Sequence, residues 1–410
     1  MKAMGDSPVS HGLFYFCSFA DSILKRLWPK SIAFFVLGRG HSNPYERRKK
    51  MIKEAIGKVV LKRDLTEMEM EKVMREIIMG SASDAHIASF ITALRMKGET
   101  TEEITTAARV IKNRVYMIHA GDDVVNLDRE EITVERETIL STTKGITEGT
   151  NIFNISTATA LVVAGGGFKV AKCGRRSASS LCGCGDVIEA LGINLDMTST
   201  QLERCLKEVG ICFLYEPLAQ NGLGHIIAIR EKIGIRTIFN LLDPLINPAG
   251  AKLQVLGVYE PGLTETMAKV LISLGIKRGL VVHGEGTLDE ISIIGKSKVT
   301  EFKDGEIKTY FIKPEDFGMK RGKLDEIRGG TGKQNAEIIL EILRGVEGAR
   351  RDVTILNAAA VFMIAGRAKD FNEGVKLANQ SIDTGEAFHK LERLMKFTNE
   401  ERRYLRDPFP

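Results

Sequence analysis

The apolar residues of this 410-residue chain change their spacing once, and that change limits the fold more than any single motif. From Met51 to about Val115 they recur at three and four residues, in Met51–Leu61, Met68–Met79 and His86–Met96. That is the period of helices with one buried face. Ser83 or Asp84 can start the third helix, and Thr100 or Thr101 ahead of Glu102 and Glu103 starts a fourth. From about Thr133 short β-branched runs alternate with amphipathic stretches. Phe168–Lys172 and Gly279–His283 read as buried strands. Thr157–Ala164, Asp186–Leu191 and Glu265–Leu274 read as helices beside them. Residues 300–313 read as an antiparallel hairpin turning at Asp304-Gly305. Asn335–Leu343, Arg350–Ala365 and Asn372–Leu394 read as C-terminal helices. Strands alternating with helices imply a mainly parallel sheet. The expected fold is therefore α/β: a helical domain over 51–118, joined by helices from about 198–246, and an α/β domain over 119–410.

Residues 1–50 stand apart. They hold nine Lys/Arg against three Asp/Glu, whereas the remaining chain is almost neutral in a protein of net charge +5. A near-neutral body gives no support to nucleic-acid binding, which needs a basic surface. The apolar runs Gly12–Ala20 and Ser31–Gly38 are too short to span a bilayer, which takes roughly 20 residues. An interfacial anchor through Phe14, Phe16, Phe19 and Trp28 beside Lys25 and Arg26 is one reading. The preferred one is a dispensable extension, with Met51 as an alternative start. The six cysteines, Cys17, Cys173, Cys182, Cys184, Cys205 and Cys212, are too sparse for a disulfide scaffold. A cytoplasmic location is expected, and the thiols read as small buried residues.

Four segments carry chemistry. Asn151–Ala160 runs from a polar loop into an apolar helix, with Asn154, Ser156 and Thr157 at its start. That pattern suits a phosphate, but on spacing alone simple capping is the better reading. Lys172–Ser180 follows a strand and precedes a helix, where ligands bind in parallel sheets. Its density of Lys, Arg and Ser favours an anion site. His283–Ser292 also follows a strand. Asp289 and Glu290 suit Mg²⁺ shared with substrate phosphates or, equally well, a helix N-terminus. Arg230, in the fourth segment, suits a bidentate carboxylate, although a lone helical Arg more often forms a surface ion pair. Arg328–Lys333 resembles half a P-loop, but Gln334 stands where Ser or Thr is required.

In this order these segments, with Ala93–Thr100 before them and Leu356–Ala360 after, resemble the anthranilate phosphoribosyltransferases over roughly residues 51–396. Stretches such as Gly234–Pro248 are highly specific. The resemblance implies a small α-helical domain plus a larger α/β domain of nucleoside phosphorylase/phosphoribosyltransferase type, with the active site between them. It further implies a homodimer formed through the helical domains. The implied reaction is Mg²⁺-dependent transfer of ribosyl phosphate from phosphoribosyl pyrophosphate to an aromatic amine, anthranilate, in tryptophan biosynthesis. By position it assigns the phosphoribosyl pyrophosphate to Lys144, Thr147, Glu148, Asn154, Ser156, Thr157, Lys172, Gly174, Arg176, Ser177, Ser179, Ser180 and Cys184. It assigns the acceptor to Arg175 and Arg230, and the metal to Ser156, Asp289 and Glu290.

The departures fall at ligand positions. Where the family has a Gly-Thr-Gly-Gly-Asp loop, this chain has Lys144-Gly-Ile-Thr-Glu148, and β-branched residues do not suit the backbone geometry that glycine permits. Cys173 and Arg175 replace a His and an Asn, Cys184 replaces a Ser, and Gln220-Asn221 replaces a His-Pro pair. Asp243 stands where a Gly precedes the proline. Such clustering points to altered function more than to drift. A different acceptor and a non-catalytic, nucleotide- or nucleic-acid-binding role therefore stand beside the enzyme reading.

Overall fold

The computed structural model describes residues 44–113, 137–142, 152–174, 182–215, 223–246, 253–286 and 288–406. Residues from Arg48 onward form one compact unit. It opens with four helices: α1 (Pro44–Val60), α2 (Glu67–Ile78), α3 (Asp84–Lys97) and α4 (Thr101–Lys112). Their starts are set locally. Thr66 and Thr100 each accept a hydrogen bond from the backbone three residues on, and Glu69 and Glu103 reach back to the cap amide, closing capping boxes. Ser83 caps α3 through the His86 amide. Helix α1 begins seven residues before Met51, so the periodic pattern understated its length.

Strand β1 (Glu137–Thr142), helix α5 (Ile155–Gly165), strand β2 (Lys169–Gly174), helices α6 (Cys184–Ala190) and α7 (Ser199–Glu208) and strand β3 (Ile211–Tyr215) follow. After helices α8 (Gly224–Ile233) and α9 (Ile238–Leu242) come β4 (Leu253–Gly257), α10 (Leu263–Ser273) and β5 (Arg278–Gly284). The strand order is β3-β2-β1-β4-β5, all parallel, extended by antiparallel β6 (Ser297–Lys303) and β7 (Glu306–Ile312). The β6–β7 turn is at Asp304-Gly305, with φ of 50° and 90°. Both values lie in the left-handed region that a two-residue hairpin loop of this type requires. The C-terminal part is helical: α11 (Gly332–Leu343), α12 (Ala349–Ile364), α13 (Phe371–Asp383) and α14 (Glu386–Arg406). The stretch 372–394, expected as one helix, is broken at Gly385, whose φ is 78°.

Two cores cover the two faces of the sheet. Leu280 and Val282 of β5 enter the core built by α5, α6, α11, α12 and α13, while Val281 between them enters the core built by α1–α4 and α8–α10. This is the two-residue alternation of a strand covered on both sides. Helix α7, placed with the helical domain on sequence grounds, instead buries Leu202 and Cys205 in the first core. Among the described residues of 198–246, α8, α9 and the turn after them pack on the helical side, through Ile226, Ile229, Phe239 and Leu242.

Candidate functional site

The strand order reverses direction between β1 and β4. In open parallel sheets ligands bind beyond the carboxyl ends of the strands at such a switch point. Three of the four sequence-selected segments meet there by topology, the start of α5, the end of β2 and the loop after β5, beside the end of β4.

Asn154 is the cap residue of α5, yet its side chain makes no cap hydrogen bond. Its Oδ1 instead accepts from Asn335 Nδ2 of α11 at 2.9 Å and from the Cys182 thiol at 3.8 Å. Asn335 Oδ1 also accepts from the Gly330 amide at 2.7 Å. Simple capping therefore does not explain Asn154; a buried amide pair fixes where α5 begins. Thr157 is fully buried and its Oγ1 lies 3.4 Å from Cys184 Sγ. The structure thus brings together Asn154, Thr157 and Cys184, with Ser156 half-buried on the same helical turn.

Lys172 lies near the end of β2 and is only 3% exposed. Its backbone pairs with β3, but its ammonium makes no hydrogen bond or ion pair with any described residue. A buried ammonium without a counter-charge is strongly unfavourable unless something else solvates it. Gly174 ends the same strand. Lys144, Thr147, Glu148, Arg175, Arg176, Ser177, Ser179 and Ser180, expected at the ligands from the sequence, lie outside the described residues.

Asp289, 9% exposed, and half-buried Glu290 sit in the loop after β5. The loop is closed by reciprocal backbone hydrogen bonds between Gly284 and Leu288 of 2.8 and 3.1 Å. Gly257, at the end of β4, lies directly against it. A Cβ there would sit 1.5 Å from the Asp289 carbonyl oxygen, so only glycine permits this approach. Asn357 of α12 holds the far side. Its Oδ1 accepts from the Ile291 amide at 3.0 Å, and its Nδ2 donates to the carbonyls of Ile291 at 3.0 Å and Val353 at 2.8 Å. Asn357 and Asn335 were not assigned roles from sequence. The available signal was a buried Asn inside the apolar run Leu356–Ala360.

Arg230 lies elsewhere, in the helical core. It faces a small, partly open cleft lined by Ile111, Leu223, Ile226, Phe239 and Ile246. Its guanidinium is paired with Asp243, at 2.9 Å from Nη2 to Oδ2 and 3.4 Å from Nη1 to Oδ1. The two side chains are 13% and 21% exposed. The Phe239 ring centroid lies 5.8 Å from the guanidinium carbon. The surface ion pair that a lone helical Arg suggests is therefore a largely buried one.

Other sequence signals resolve into structure. His225 Nε2 bonds the Ile77 carbonyl at 2.9 Å, tying α8 to α2. Thr331 and Gln334 form the capping box of α11, which accounts for the Gln that spoils the P-loop resemblance. Cys182, Cys205 and Cys212 are buried thiols outside any disulfide.

A helical bundle packs against an α/β sheet, with Lys172, Asp289 and Glu290 near the strand ends, and both parts match models of the glycosyl transferase family. Residues 53–115 match the model of the glycosyl transferase family helical bundle domain, and residues 142–388 match that of the glycosyl transferase family a/b domain. The chain is 50% identical over 350 residues to an anthranilate phosphoribosyltransferase from Citrifermentans bemidjiense, covering 85% of this chain and 99% of the relative. One from Geobacter sulfurreducens is also 50% identical over 350 residues, covering 85% and 100%. The crystal structure of anthranilate phosphoribosyltransferase from Thermus thermophilus matches with a TM-score of 0.74 at 37% identity, over 84% of this chain and 99% of that one. The Saccharomyces cerevisiae enzyme in complex with PRPP and Mg matches with a TM-score of 0.74 at 26% identity, over 86% and 99%. The chain belongs to the anthranilate phosphoribosyltransferase family.

Proposed function

We propose that this chain transfers ribosyl phosphate from phosphoribosyl pyrophosphate to the amine of anthranilate, with Mg²⁺. One observation carries the placement of the donor: Lys172, buried near the carboxyl end of β2 with no counter-charge among the described residues. A phosphate or pyrophosphate oxygen supplies the anion that this ammonium lacks. Asn154, Ser156, Thr157, Gly174 and Cys184 border the same strand ends and complete the described part of the donor site.

Asp289 and Glu290 fit Mg²⁺. They are hard oxygen donors, held in place by Asn357 and by the close approach of Gly257. Among the described residues no three His, Cys, Asp or Glu side chains gather. The remaining coordination therefore falls to Ser156, substrate phosphates and water, the mode Mg²⁺ favours. A Mg²⁺ held there would supply charge neutralisation for the pyrophosphate leaving group. In the reaction the bond from the anomeric carbon to pyrophosphate breaks, a bond to the acceptor nitrogen forms, and that nitrogen loses a proton. The protein's tasks are to hold the donor, stabilise the leaving group's charge and place the amine. Arg230 is assigned to the acceptor carboxylate, at the mouth of an apolar cleft walled by Phe239.

The non-catalytic alternative is not favoured. Relatives about 50% identical over nearly their whole length carry the enzyme's name. We carry the homodimer as a proposal, supported by Val60, Leu61 and Met68, each more than 60% exposed on the helical side. None of the described helices is long and apolar enough to cross a membrane. The cytoplasm is proposed as the compartment because the described cysteines are thiols rather than disulfides.

The test is loss of anthranilate fluorescence on adding phosphoribosyl pyrophosphate and Mg²⁺ to the full chain, with stoichiometric pyrophosphate release. Chelation should abolish it. No turnover at saturating substrates would reject the assignment.

A further inference from the structure

We propose that Asp243 is an internal carboxylate that competes for Arg230 and so sets how strongly this chain selects a carboxylate-bearing acceptor. The inference rests on the reading that the Arg230 cleft is the acceptor pocket. The cleft is otherwise apolar, and its single guanidinium is the group that would orient a flat, anionic ligand. That guanidinium already makes two roughly parallel hydrogen bonds to both oxygens of Asp243, the fork geometry an incoming carboxylate would use. Both groups are mostly removed from water, so the pair is only weakly screened.

Asp243 follows α9 and begins a short 3-10 turn, and Pro244 directly behind it restricts the backbone. The carboxylate can leave Arg230 chiefly by side-chain rotation, and it is the more exposed partner. An acceptor carboxylate must therefore displace Asp243 or share one guanidinium with it as a second anion. Either lowers its affinity relative to a neutral acceptor of the same shape.

The experiment measures binding of anthranilate and of its neutral amide, anthranilamide, to the full chain by calorimetry with phosphoribosyl pyrophosphate and Mg²⁺ present. The wild-type chain should bind the two within about threefold of each other. Asp243→Asn, which keeps the shape and removes the charge, should bind anthranilate about tenfold more tightly, or about 1.4 kcal/mol. Its affinity for the amide should not change. Unchanged or weakened anthranilate binding in a folded Asp243→Asn chain overturns the proposal. So does a preference of about tenfold or more for anthranilate over the amide in the wild type, a result that needs no variant to fold. Turnover separates this from the functional reading. Tighter anthranilate binding without product supports Asp243 as the competitor while rejecting the reaction. Product formation with an unaltered preference does the reverse.

Discussion

Two buried lysines in this chain have opposite surroundings. Lys97, in the helical core, is 3% exposed and pairs with fully buried Glu103 at 2.9 Å and with Asp64 at 2.6 Å. Glu103 also accepts from the amides of Leu65 and Thr100, both at 2.9 Å. Lys172, near the carboxyl end of β2, is also buried, and its side chain has no partner among the described residues. A charge whose counter-ion is supplied by the protein fixes structure. A charge left without one is available to a ligand, at some expense of stability. Arg230 stands between the two cases: it faces a cleft, yet Asp243 already satisfies it.

The largest effect should come from the sheet edge. Asp289→Asn with Glu290→Gln should lower kcat/KM by about a thousandfold, the several kcal/mol that a metal contributes to leaving-group stabilisation. Activity with an unaltered Mg²⁺ titration curve would place the metal elsewhere. Next, on the helical side, Glu103→Gln should destabilise the fold by about 3 kcal/mol, because it weakens two amide contacts and strips Lys97 of its buried partner. Denaturant unfolding checks this, and a loss below about 1 kcal/mol would erase the contrast between the two lysines. Lys172→Met should invert the pattern. Affinity for phosphoribosyl pyrophosphate should fall by about 1.5–3 kcal/mol, the scale of a charge-assisted contact, while stability holds or rises. A variant that instead unfolds more easily would mean Lys172 has a structural partner.

The smallest effect concerns Glu99. Burial, the leading cause, pushes its carboxyl above the ordinary 4.5, and its Oε1 has no hydrogen-bond partner among the described residues. A raised folded value means the group favours folding below pH 4.5 and loses that contribution as pH rises through the raised value. Glu99→Gln should therefore be the more stable protein at pH 7, by about 1 kcal/mol or less. The advantage should vanish as pH approaches 4. An advantage that persists in acid would show that the charge is not its source.

The features legible in the sequence were those written within a few residues. The helix start at Thr100 joins positions three apart, and the Asp304-Gly305 turn joins adjacent ones. Helix and strand periods were visible because one face of each element is buried. Gly385, which splits α13 from α14, carried a local signal too, but the apolar period runs through it. The candidate site was legible as residue types at strand ends, and its family as an ordered set of motifs. What holds those residues in place was not legible. Asn154 meets Asn335 across 181 positions, and Asn357 meets Ile291 across 66. Arg230 meets Asp243 across only 13, but through a reversal of the chain after α8. The sequence by itself determined the elements and the chemistry available at their ends, because helix and turn formation depend on neighbours. Only the tertiary structure decided the strand order, which core each helix joined, and which buried charges were paired. Those outcomes depend on which distant groups share a low-dielectric interior, and no local pattern records that.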